Sequence, residues 1–297
     1  MPRLRAALRA GPVLLVKRDD QIPFGFGGNK IRKLRLVAAE AQRREADTLI
    51  TCGGIQSNHA RATAAVAARL GMACTLILNG APPERLTANA LLDRLFGAEV
   101  RYVASREARA PAMEEAAAEL RGRGRRPFVI PLGASTPLGA AAYADAVGEL
   151  VTQQVFPDVI IHSTSSGGTQ AGLVAGCRLY GLAARVIGIS ADEPAIALRG
   201  AIGAILGGLE ALIATGAGFL SDADLEIDDT FVGEGYGVPT PLSEEALEVC
   251  ARTEGLLLDP TYTAKAMAAL FALVRAGDLT GGTVLFWHTG GQVGLFA

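Results

Sequence analysis

Two short stretches hold residue types that can do chemistry together. In "PFGFGGNKIRKLRL", beginning at Pro23, Gly27, Gly28 and Asn29 form a tight turn ahead of Lys30. From there Ile31, Leu34, Ala38 and Ala41 fall on one helical face, so the lysine stands at a helix entrance. A cation is disfavoured at that end of a helix by about 0.3 to 1 kcal/mol, whereas lowering a lysine from about 10.4 to about 7 takes over roughly 4 kcal/mol. The dipole alone therefore cannot make Lys30 a free base, and condensation of its amine with an aldehyde explains the residue better. In "HSTSSGGTQAGLVAG", beginning at His162, glycines and hydroxyls open a helix near Thr169. Bare backbone, hydroxyls and the first free amides of that helix suit one phosphate. No lysine follows these glycines as in a Walker loop, and the spacing is not the Gly-x-Gly-x-x-Gly of dinucleotide folds. An imine-forming lysine beside a cradle for one phosphate describes pyridoxal 5′-phosphate.

The elements that must position these residues alternate between two kinds. Short runs rich in Val, Ile and Leu, namely "DTLITC", "ACTLIL", "EVRYV", "PFVIP", "DVIIH", "RVIGIS" and "TVLFWH", read as strands, with alanine-rich helical stretches between them. One of these stretches, "HARATAAVAARLG", ends on Gly71, a helix-terminating residue of the expected kind. Such alternation predicts an α/β fold of open, twisted, mainly parallel sheets flanked by helices, with ligands beyond the carboxyl ends of the strands. The loops expected there are all rich in Gly, Ser, Thr or Asn, and they include "CGGIQSNHA", which leads into a helix at about Asn58, and "WHTGGQVG" after the last strand.

Composition narrows the partners. The 297 residues are enough for two lobes, and 28 Lys plus Arg against 30 Asp plus Glu leave a net charge of −2, too balanced for a nucleic-acid binder. The four cysteines are scattered without a Cys-x-x-Cys pair, which predicts buried free thiols and neither a zinc site nor a disulfide framework. The amino terminus lacks a signal peptide's long apolar region, and no uninterrupted run of about twenty apolar residues follows, so a cytoplasmic protein with no membrane partner is expected.

Taken in order, "GGNKIRKL", "GGIQSNHARATAAVAARLG", "SSGGTQAGL", "GEGYGVP", "LDPTYTAKAM" and "HTGG" resemble the 1-aminocyclopropane-1-carboxylate deaminase and D-cysteine desulfhydrase family, from about Val16 to the end of the chain. That family has the tryptophan-synthase-β-like fold, type II among pyridoxal-phosphate enzymes. The resemblance implies that Lys30 is the Schiff-base lysine, that Asn58 meets the cofactor's 3′-oxygen, and that Lys33, Ser165, Gly167, Gly168 and Thr169 lie at its phosphate. It assigns Ser57, Asn58 and His59 to the substrate, whose carboxylate suits the amides and dipole of a helix amino terminus. Ser57 relays a proton in this scheme, and Tyr236 and Tyr262 face the substrate. The lobes implied are discontinuous, residues 1–45 with 141–297 and residues 46–140, with a homodimer as the assembly. Relatives usually carry a longer segment before "VKRDD", part of which helps close the large lobe, and this chain has little there.

Subfamilies divide at a few positions. The deaminase pattern has a glutamate at the pyridine nitrogen where this chain has Thr263, and a glutamine where it has His59. Thr289 matches the desulfhydrase pattern, in which a hydroxyl leaves that nitrogen largely neutral. The expected reaction is α,β-elimination, with Lys30 or Ser57 removing the α-proton, His59 near the leaving group, and D-cysteine giving pyruvate, ammonia and sulfide. The alternatives are the deaminase itself, an L-cysteate sulfo-lyase, a β-chloro-amino-acid lyase, a racemase, and two readings from other classes, a non-catalytic ligand-binding protein and a nucleotide-binding enzyme.

Overall fold

The computed structural model describes residues 1–9, 11–214, 216, 218–220 and 225–297. The apolar runs assemble into two all-parallel sheets, and the fold is α/β, as the alternation predicts. One sheet takes β1 (Val13–Arg18), β6 (Val159–Thr164), β7 (Arg185–Ser190), β8 (Glu226–Asp228) and β9 (Thr283–His288) in the order β1-β9-β6-β7-β8. The other takes β2 (Thr48–Gly54), β3 (Ala73–Asn79), β4 (Glu99–Val103) and β5 (Pro127–Val129) in the order β4-β3-β2-β5. Seven of these strands fall on the runs expected from the sequence; β1 and β8 do not. Among the described residues β1 is an edge strand paired only with β9, and β8 has three residues, so neither carries the buried apolar run by which a central strand is read.

Helices α1 (Pro2–Ala7), α2 (Asn29–Arg43), α3 (Asn58–Leu70), α4 (Ala88–Leu95), α5 (Arg109–Gly122), α6 (Pro137–Thr152), α7 (Gly168–Leu179), α8 (Ala195–Ile213), α9 (Pro241–Glu254) and α10 (Thr263–Ala276) cover the sheets. Short hydrophobic side chains let them pack closely. Ala140 and Ala144 of α6 and Ala171 and Ala175 of α7 share one core with Ile160 of β6 and Trp287 of β9. On the other face of that sheet, Ala266, Met267, Leu270 and Phe271 of α10 pack with Ile161 of β6 and Phe286 of β9. Burying one such large side chain contributes roughly 1.5–3 kcal/mol, enough for these two layers to fix β6 and β9 between them. The smaller sheet has its own core, in which Leu49, Leu76 and Leu78 meet alanines of α3 and Leu34 and Val37 of α2. All four cysteines are buried and unpaired, as expected.

Two peripheral helices complete the fold. Leu4 of α1 is fully buried, and its amide donates to Glu254 at the end of α9. α8 is long and apolar enough to cross a membrane by length and composition, and most of its apolar stretch is not buried. It carries Arg199 and Glu210, which interrupt the apolar run.

Candidate active site

The carboxyl ends of β2, β6 and β9 open on one cavity of about 390 Å³, lined from both sheets. Every site residue expected from the sequence lines it except Gly168, which opens α7 beside Thr169. Lys30 enters from the first turn of α2. Glycine is required just before it, because Gly28 has φ 96 and a Cβ there would stand 3.0 Å from the carbonyl of Thr289. Asn29 then ties this turn to two others: its amide donates to the Thr289 carbonyl at 2.8 Å and its side chain to Thr169 Oγ1 at 3.1 Å. Desolvation pushes the Lys30 amine down to about 8, a larger shift than the helix dipole alone supplies.

Next to it the cavity is built for an anion. Lys33, one turn along α2, is 1% exposed, and burial first, then the charge of Lys30, hold it well below the usual lysine range. Its nearest acceptors, the Gly133 carbonyl and Ser135 Oγ, both stand 3.3 Å away. Ser135 Oγ pairs with Ser166 Oγ at 2.7 Å and accepts from the Gly168 amide at 3.2 Å, so the turns before α6 and α7 form one rim. Gly167 turns the chain into α7 at φ 78, where a Cβ would collide with Ile202. Two desolvated amines at the positive end of a helix form a site incomplete without a negative ligand. Thr164 Oγ1, buried on the same wall, has no hydrogen-bond partner among the described residues. The donor set therefore fits a single phosphate with an aldehyde-bearing ring at Lys30. Among the described residues, no group of three or more His, Cys, Asp or Glu could hold a metal ion.

Ser57, Asn58 and His59 close the side toward the smaller sheet. Ser57 caps α3, its Oγ accepting from the Ala60 amide at 3.2 Å. Asn58 Oδ1 accepts from Asn89 Nδ2 at 3.1 Å, which turns its own amide nitrogen toward donation. His59 is 2% exposed. Its Nε2 lies 2.8 Å from Thr51 Oγ1, and because Thr51 itself donates to the Ile130 carbonyl, Nε2 carries the proton and Nδ1 is bare. Burial, then the charges of Lys30 and Lys33, hold His59 well below the usual histidine range, so it is neutral.

The remaining wall is aromatic and charged. Tyr236 and Tyr262 meet hydroxyl to hydroxyl at 2.6 Å with their rings edge to face. Lys265, one turn past Tyr262, donates to the carbonyls of Val232 and Gly235 at 2.7 and 2.8 Å and so secures the loop carrying Tyr236. The Arg106 guanidinium lies 5.1 Å from the centre of the Tyr236 ring and 3.5 Å from Asp192. Thr263 turns away from the cavity: fully buried, it donates to Asp259 Oδ1 at 2.6 Å and accepts from the Asp259 amide. Thr289 faces inward, 3.0 Å from Ser163 Oγ.

Several of these partners escape the sequence reading. Ser135 sits in "GASTP", a Gly, Ser and Thr turn after a strand, and the signal that singled out the other loops would have found it. Ser163 lies in the "HSTSSGG" stretch already singled out, though not among the residues expected in the site, whereas Asn89 and Arg106 carry no comparable signal, since each is one polar residue in an ordinary segment.

The profile of a family described as pyridoxal-phosphate dependent enzymes matches residues 1–290. A D-cysteine desulfhydrase of Klebsiella pneumoniae (strain 342) is 38% identical over 306 residues, covering 100% of this chain and 92% of that protein. A D-cysteine desulfhydrase of Salmonella typhi is 37% identical, with the same coverage of 100% and 92%. A crystal structure described as an ACC deaminase homologue superposes with a TM-score of 0.91 at 35% identity, over 100% of this chain and 89% of that one. A pyridoxal 5′-phosphate-dependent aspartate racemase, at 16% identity and a TM-score of 0.68 over 98% of this chain and 88% of that one, shares the fold. A lysine at a glycine turn, an anion cradle one helical turn away and a match along nearly the whole chain have one explanation: the chain belongs to the family of pyridoxal-phosphate-dependent enzymes.

Proposed function

We propose that the chain is a carbon–sulfur lyase that converts D-cysteine and water to pyruvate, ammonia and hydrogen sulfide, the activity for which its 37–38% identical relatives are named. The observation that carries this reading is the pair of hydroxyls, Thr289 and Ser163, facing the cavity while Thr263 is taken up by Asp259. A neutral partner for the cofactor's ring nitrogen favours elimination over opening of a cyclopropane.

In this reading Lys30 holds the cofactor, Lys33 and the Ser165, Gly167, Gly168 and Thr169 turn bind its phosphate, and Asn58 donates to its 3′-oxygen. Bound there, pyridoxal phosphate supplies an electron sink for charge developing at the substrate's α-carbon. The residues around it do the rest. The α3 amides and Ser57 hold the substrate carboxylate and orient the Cα–H bond. The Lys30 amine, lowered to about 8, takes the α-proton as a base matched to neutral pH, with Ser57 within the same cavity as its relay. Tyr236 and Tyr262 border the leaving group, and neutral His59 bounds the site with its bare Nδ1.

A residue-46-to-140 lobe closing on a lobe of residues 1–45 and 141–297 would exclude water, and confinement of the smaller sheet to residues 48–129 supports that division. The exposed apolar face of α8, with Ile196 79% and Leu212 52% exposed, supports a homodimer in which a second copy covers it. Four unpaired thiols support a reducing, cytoplasmic location.

The test is the absorption spectrum of the purified protein before and after D-cysteine, with pyruvate assayed in the same tube. A visible band absent from Lys30→Ala, with pyruvate formed, is the expected result. A band without pyruvate removes D-cysteine and directs the search to the cyclopropane, cysteate and chloroalanine substrates. Absence of any band after adding pyridoxal phosphate overturns the assignment of Lys30.

A further inference from the structure

Arg61 is among the largest side chains the fold buries completely, at 1% exposure, yet among the described residues it is hydrogen-bonded to no carboxylate. It stands on α3 four residues past Ser57, and its amide donates to the Ser57 carbonyl at 3.2 Å, closing the first turn of that helix. Its guanidinium reaches out of α3 to the turn ahead of Lys30. Nη1 donates to the Gly25 carbonyl and Nη2 to the Gly27 carbonyl at 3.4 Å.

The turn it reaches is unusual. Gly25, Phe26, Gly27 and Gly28 have φ values of 52, 63, 63 and 96, four consecutive left-handed residues. Phe26, with a full side chain and 57% exposed, does not favour that backbone by itself. The turn is therefore held from outside. On one side the Gly28 amide donates to the Asp19 carbonyl at 2.8 Å, and a Cβ on Gly27 would stand 2.7 Å from the Asp20 carbonyl. On the other side stands Arg61. Asp93 of α4, a fully buried carboxylate, faces Arg61, but both its oxygens and Arg61 Nε lack hydrogen-bond partners among the described residues. The arginine thus directs its terminal donors to the backbone of the lysine turn and not to the acid.

We propose that Arg61 is a positioning residue for Lys30: it clasps the left-handed turn and couples the lysine's approach to the helix that carries Ser57 and Asn58. Movement of α3 when a carboxylate binds at its amino terminus is then transmitted to the lysine turn through one side chain. The inference rests on the reading of Lys30 as the Schiff-base lysine, whereas the clasp itself is tested independently of it.

The test compares holoenzyme Arg61→Met, which keeps the apolar stem without donors, with Arg61→Lys and the wild type. Amide hydrogen exchange is read in residues 24–30 and, as an internal control, in β6. The expected result is exchange about tenfold faster at the turn in Arg61→Met, the size of a lost charged hydrogen bond, with β6 unchanged and Arg61→Lys between the two. The same variant should lose kcat more than it raises KM for D-cysteine and should shift the pH titration of the visible band. Wild-type exchange at the turn, or a rise equal to that in β6, overturns the proposal. If Arg61→Met does not fold, Arg61→Lys is read alone: faster exchange confined to the turn supports the clasp, and wild-type exchange overturns it. Should the wild type show no visible band, the assignment of Lys30 fails while the exchange comparison still decides whether Arg61 holds the turn.

Discussion

Ser163, at the end of β6, and Thr289, just past β9, touch hydroxyl to hydroxyl at 3.0 Å because β6 and β9 are parallel neighbours that place Ile161 beside Phe286 and His162 beside Trp287. Sheet register thus sets the hydroxyl pair, and nothing flexible intervenes. Replacing Thr289 with Ala should leave the fold intact and reduce pyruvate formation from D-cysteine by about 10- to 100-fold, the cost of one hydrogen bond in a closed site. Steady-state kinetics check this, with circular dichroism as the control for folding.

Thr263 invites a conversion that should fail. A glutamate there would lose both hydrogen bonds that the Thr263 hydroxyl makes with Asp259 and place a second carboxylate against one already buried. Thr263→Glu is expected to lower stability by roughly 3 kcal/mol or more and to gain no turnover of the cyclopropane substrate. Denaturant unfolding and a keto-acid assay read the two halves of this expectation.

Lys30 should cost stability in the cofactor-free protein. Its folded value of about 8 lies below the ordinary lysine value of 10.5, so the unfolded chain holds the proton more tightly. The penalty is complete below pH 8 and disappears as pH rises past 10.5. Lys30→Met should therefore unfold at higher temperature at pH 7, by of order 1 to 2 kcal/mol once the partial exposure of the side chain is discounted. The gap between variant and wild type should close toward pH 10.5.

Asp93 gives the opposite test. Burial pushes its carboxyl up to about 7 against the attraction of Arg61. A carboxyl raised in the folded state costs stability progressively as pH rises from 3.8 to about 7, because the unfolded chain gives up its proton first, and the cost is complete above that range. Asp93→Asn should have little effect near pH 4 and stabilise by roughly 2 to 4 kcal/mol above pH 7, visible as diverging thermal midpoints.

Much of the site is legible in the chain because glycine turns and helix starts are local. Asn58 opens α3, and Gly168 opens α7 one residue from the expected Thr169. What escapes the sequence depends on long-range packing. Arg61 and Arg69 look alike in "HARATAAVAARLG", and only the fold buries one of them against the lysine turn. The amine of Lys30 is tuned by burial, a tertiary effect, where local reasoning offers only the dipole. Asn89 reaches Asn58 from α4, 31 positions along the chain. β1 and β8 are edge strands whose existence depends on their neighbours more than on their own residues.

The pairing of β1 with β9 also makes the lysine turn depend on residues far away in the chain. Among the described residues β1 has no other strand beside it, and the turn carrying Lys30 is pinned to the Thr289 carbonyl. The smaller sheet draws only on residues 48–129, whereas the lysine turn gains its anchor only once β9 has brought Thr289 beside it. Locking of the lysine turn is therefore a contact of long sequence separation, one that the smaller sheet does not need for its own pairing.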